Sequence, residues 1–144
     1  MLTLQTDIIA RIQAQVPGFK TIANPSVMAG LRDIGPLLPA CLVAPGQGGP
    51  IEQSQPQLPA VEKQEWEVVV IVAHQHTGEA DGLTEQIAGT FMDGIVRALH
   101  GWKDGSSPQK HGFIYAGRYR PTYGIGYAEF PMSFTSKFII GTTY

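Results

Sequence analysis

The chain has a single cysteine, Cys41, so no internal disulfide can brace it. Charge is also scarce: Asp, Glu, Lys and Arg make up 15% of the residues, against about a quarter in an ordinary soluble domain. Ten basic residues stand against twelve acidic ones, for a formal net charge of -2. That balance argues against a general electrostatic grip on nucleic acid or on an anionic membrane. Long hydrophobic runs are missing too. The longest, residues 68–73, suits a strand and falls far short of the roughly 18 apolar residues that span a bilayer. Residues 1–11 lack the charged n-region and small-residue cleavage site of a signal peptide, so a cytoplasmic product is expected. What remains is a 144-residue chain, 43% apolar, of a size to bury one contiguous core. Its sparsely charged surface suits a subunit that is covered in an assembly.

Apolar residues at Leu4, Ile8, Ile9, Ile12 and Val16 repeat at the spacing of one helical stripe. Thr3 or Thr6 is placed to cap this helix, and Pro17 with Gly18 ends it. Prolines and glycines break residues 22–39, leaving room for one short helical turn over 27–34. Residues 40–44 read as a short buried strand. Residues 45–59 hold four prolines and four glutamines and little to bury against the cost of ordering, about 1–2 kcal/mol per residue. A mobile loop over about 45–60 between two paired strands is expected.

The strongest strand signal spans residues 61–74. Both alternating sets are apolar, Trp66, Val68, Val70 and Val72 on one side and Val69, Ile71 and Ala73 on the other, so a central strand covered on both faces is predicted. Leu83, Ile87, Phe91, Ile95 and Leu99 recur at every fourth position and predict a helix with Phe91 at the centre of its buried face. Asp81 is placed to cap that helix, and Gly101 falls where a left-handed residue ends one. Two strands follow, over 113–119 and 128–138, with Ala128, Phe130, Met132, Phe134 and Phe138 on one face of the second. Pro131 lacks a donor and marks an edge or a bulge. The expected fold is one α+β domain: an antiparallel-dominated mixed sheet with two main helices packed on it.

The chemistry-bearing residues are few. His74 and His76 share a strand face and can ligate a metal, given a third ligand among Glu79, Asp81, His100 or His111. They also sit at a strand end, where polar residues belong in any case. The glycines at 46–49 and at Gly124 and Gly126 lack the Lys-Ser/Thr of a phosphate loop. Cys41, inside an apolar strand, reads as inert. The acidic groups Glu62, Glu65, Glu67 and Glu79, Asp81, Glu85 flank apolar elements, as solvated charges do. Lys110, His111, Arg118, Tyr119, Arg120 and Tyr123 form a basic, aromatic cluster. It suits a protein interface, where Tyr and Arg are enriched, better than stacked bases.

Taken together, several features resemble the tail terminator, or minor tail completion, proteins of long-tailed phages and prophages. These are the N-terminal helix, the strand behind Leu38 and Pro39, the Gln/Pro/Gly loop, and the Trp66-led apolar strand. They continue with the helix running into Leu99, His100, Gly101 and Trp102, and the Tyr- and Gly-rich stretch 115–130. The resemblance implies a structural, non-enzymatic virion subunit at the head-proximal end of the tail. It implies a hexameric ring that caps the tail tube, stops its growth and offers the head connector a docking surface. DNA would pass the lumen unread, and no cofactor or metal is implied. Local chemistry then nominates Arg118, Tyr119, Arg120, Tyr123, Gln47, Gln53 and Gln55 as assembly contacts. The loop is expected to order only on assembly. Another connector or tube subunit, a small His-dependent metalloenzyme and a nucleic-acid-binding module remain as alternatives.

Overall fold

The computed structural model describes residues 4–31, 33–50, 60–74, 82–103 and 112–140. Helix α1, Leu4–Gln15, forms where the first apolar stripe was read, and buries Leu4, Ile8 and Ile12. Thr6 lies inside the helix and so cannot cap it; Thr3 lies outside the described residues. A short strand β1, Thr21–Ala23, comes next. Two 3₁₀ turns, Pro25–Met28 and Gly35–Leu37, replace the single helical turn expected over 27–34. Asn24 caps the first by accepting the Ser26 amide, and the Leu38–Pro39 peptide is cis.

Strand β2, Ala40–Pro50, extends six residues past the expected end at Ala44, into the stretch read as loop. It pairs antiparallel with β3, Ala60–Ala73. Helix α2 spans Leu83–Leu99, with Gly101 in the left-handed conformation after it at φ 80°. Its N-cap position is Gly82; Asp81 lies outside the described residues. Strands β4, Ile114–Arg118, β5, Thr122–Tyr123, and β6, Tyr127–Ile140, complete the chain. The sheet order is β1-β2-β3-β6-β4, with β5 also on β6; only β1 against β2 is parallel. This is the α+β class expected.

Both helices lie on one face of the sheet. Trp66, Val68, Val70 and Val72 of β3 and Ala128, Phe130, Met132 and Phe134 of β6 form the floor beneath them. Such a side chain, fully buried, contributes roughly 1.5–3 kcal/mol. Trp66 donates its indole N–H to Ser136 at 3.2 Å, so the buried ring keeps its one polar atom paired. The Phe138 side chain lies outside the described residues.

Two expectations fail here for geometric reasons. Phe91 is half-buried and stacks on Phe19 at 4.2 Å, while Ala88, Met92, Ile95, Ala98 and Leu99 form the buried face. A row at every fourth residue drifts about 40° per step around a helix of 3.6 residues per turn. The row from Leu83 to Leu99 therefore wraps away from the core, and Leu83 and Ile87 stay 54% and 42% exposed. Pro131, in turn, lies within β6, which is paired on both sides, opposite Val69 of β3. Its carbonyl accepts the Tyr119 amide where β4 has ended and β5 has not begun. The missing N–H points into that gap and costs the β3 ladder nothing.

The second face is covered at one end only. Leu38, Ala40, Leu42 and Ile71 form a small cluster there with Met28 and Ile34 of the 3₁₀ segment. Toward the other end no helix covers the sheet among the described residues.

Candidate assembly surfaces

The uncovered end of the sheet is an open trough of about 840 Å³. Its floor includes Lys63 and Glu65 of β3, Ser133, Thr135 and Lys137 of β6, and Ile114 of β4. Strand pairing sets Lys63 directly opposite Lys137. Like charges so placed repel, and nothing in the sequence pattern announced the pair, because register decides it. Beside them, one oxygen of Glu65 accepts both the Tyr119 hydroxyl at 3.0 Å and the Ser133 hydroxyl at 2.9 Å.

One wall of the trough is the β2 arm. Between the pairs Pro45↔Trp66 and Gly48↔Gln64, two residues of β2 face one of β3, a β-bulge. Gln64, only 4% exposed, holds it by donating its amide to the Gly46 carbonyl at 3.1 Å and to the Glu65 carbonyl at 2.7 Å. Gln47 is exposed on this bulge and lines the trough with Tyr119. Gln53 and Gln55 lie outside the described residues, as does all of 51–59.

The basic, aromatic cluster is divided by the sheet. A second bulge, between Tyr115 and Gly117 of β4, resets the alternation. Arg118 then pairs with Met132 on the helix side, near Asp93 and Arg97 of α2. Tyr119 faces the trough, and Arg120 is exposed in the link to β5. Tyr123 belongs to the helix side: its ring lies 5.1 Å from His74 and meets the Phe130 ring edge-on at 6.3 Å. Its hydroxyl donates to Glu85 at 2.7 Å. That hydrogen bond, with a little burial and the Glu85 charge, raises the phenol above its usual 10. Lys110 and His111 lie outside the described residues.

The histidines are employed locally. His74 Nδ1 and Thr84 Oγ1 are 2.9 Å apart, and His100 Nδ1 accepts the Tyr115 amide at 3.1 Å. His76 and Glu79 lie outside the described residues. Among the described residues no three His, Cys, Asp or Glu side chains converge on a metal position, and no helix is long and apolar enough to cross a membrane.

Sequence reasoning passed over the turn from β5 to β6. Gly124 donates its amide to the Tyr127 carbonyl at 2.9 Å, and Gly126 has φ 82°. A Cβ on Gly124 would collide with the Tyr127 ring. Between these glycines Ile125 stands 97% exposed. An isoleucine alone in a glycine turn was the available signal.

The family described as phage tail terminator protein matches residues 2–144, nearly the whole chain. A search of curated proteins gives no match.

Proposed function

Because the chain belongs to the phage tail terminator family, we propose that it closes into a ring of six on the last ring of the tail tube, stops tube growth and presents the surface to which the head connector joins. The role is structural, without catalysis or cofactor, and DNA passes the lumen without being read. The subunit acts at the head-proximal end of the tail, after synthesis in the host cytoplasm.

The observation that supports this reading is the half-covered sheet. A domain that folded only for itself would lay a layer over the trough. Here two lysines face one another across open strands instead. A ring needs two different patches per subunit, each about 800 Å² for a stable contact. The trough, with Gln47 and Tyr119, supplies one. The helix side of β4 and β5, with Arg118, Arg120 and Tyr123, supplies another.

Deleting the gene and viewing lysates by electron microscopy tests the reading. Overlong, headless tails are expected, with length control and head joining restored by the added chain. Normal-length, head-joined particles in its absence would refute it.

A further inference from the structure

The turn at Ile125 is rigid where an exposed turn has no need to be. Strand pairing fixes Thr122 and Tyr123 against β6, and the His74 amide donates to the Gly126 carbonyl at 3.0 Å. Tyr123 is held by Glu85, His74 and Phe130. All this order presents one apolar side chain to water at 97% exposure. Rigid presentation lowers the entropy cost of a contact.

A matching concavity lies elsewhere on the same molecule. Between the end of α1 and the middle of α2 is a groove of about 370 Å³, with Val16, Phe91, Gly94 and Ala98 inside and Thr90 and Arg97 at its rim. Gly94 opens it, since a Cβ there would come within 3.3 Å of Val16. Leu83 and Ile87 extend it: with Thr90, Gly94, Arg97 and Ala98 they share a sector of about 80° on α2. The exposed apolar residues of this helix therefore lead into the groove.

We propose that the Gly124-Ile125-Gly126 turn of one copy of this chain seats its isoleucine in the α1–α2 groove of the next copy. This rests on the ring reading and specifies one of its contacts. A subunit cannot reach its own groove. The turn is tied to α2 at Glu85, and Arg97 lies twelve residues on, about 18 Å along the axis. Turn and groove also flank α2 on different sides, since Glu85 and Ile87 are about 160° apart around it. Two such patches make a head-to-tail contact, the kind that closes rings. Charge agrees: Glu85 accompanies the turn, and Arg97 rims the groove.

The test uses the full chain in two batches, Ile125→Cys and Thr90→Cys, assembled together on tail tubes that lack a cap. A short thiol–thiol cross-linker should give a linked dimer from the mixture and none from either batch alone. The buried Cys41 stays silent. Ile125→Asp should unfold like wild type yet need about ten to a hundred times more protein to cap tubes, the effect of losing one buried isoleucine. Rings that form without the mixed cross-link, or Ile125→Asp capping at wild-type concentration, would overturn the contact and leave the ring standing. Wild-type chain that never forms rings on tubes would overturn the ring reading and the contact with it.

Discussion

Cys41 lies fully buried in β2, and burial pushes its thiol from the usual 9.0 up to about 12. Only the thiolate is nucleophilic, so the native protein at pH 8 should resist alkylation for hours and react fully in denaturant. Labelling followed by mass spectrometry reads this directly. The raised value has a sign for stability as well. Below pH 9 both states keep the proton and nothing changes; between about 9 and 12 the unfolded chain releases it first, so stability falls as pH rises. Phe91 and Ile95 make a second comparison at this scale. Ile95 is fully buried, so Ile95→Ala should cost about 2–5 kcal/mol. Phe91→Ala should cost less despite the larger side chain, because half-buried Phe91 rests chiefly on Phe19. Urea unfolding that ranked the two the other way would mean the buried face has been misplaced.

At the level of elements, the β2 arm depends on one side chain. Gln64→Leu removes both amide hydrogen bonds across the bulge, a loss of about 1–3 kcal/mol. Hydrogen exchange should quicken at residues 46–49 while Cys41 and Val43 stay protected. A uniform change along β2 would contradict a locally held bulge. This arm also marks where the sequence stopped being legible. Helix α2 was readable end to end because its apolar period and Gly101 agreed. Strand β3 was readable because both faces were apolar. Past Ala44 the chain runs through Pro45, Gly46, Gln47 and Gly48, residues depleted in strands. Only pairing with β3, braced by Gln64 from eighteen positions away, makes a strand of them. The basic, aromatic cluster failed for a similar reason. Arg118 and Tyr119 are adjacent in sequence, yet alternation sends them to opposite faces, and the β4 bulge sets which goes where. The drift of the α2 row, by contrast, followed from helix geometry alone.

Across the whole molecule, folding and assembly make opposing demands on the trough, and a single charge can separate them. Lys63 and Lys137 face each other across β3 and β6. Directly opposed like charges are destabilising, and opposite charges contribute roughly 0.2–1 kcal/mol. Lys137→Glu turns the repulsion into an attraction. The isolated subunit should therefore gain a few tenths of a kcal/mol or more, an effect that shrinks in high salt, since the pair is solvated. If the trough takes up a partner in the ring or on the tube, that partner meets the paired positive charge, and the same substitution should weaken tube capping. Stability rising while capping falls is a combination that a purely structural role for these lysines does not produce. Thermal unfolding at low and high salt gives the first arm. Tail lengths in lysates complemented with the variant give the second. Improved stability with normal tails would place the contact surface elsewhere, on the helix side with Arg118 and Tyr123. Lost stability would mean that Glu65, two residues along β3 on the same face, repels the new carboxylate more strongly than Lys63 attracts it.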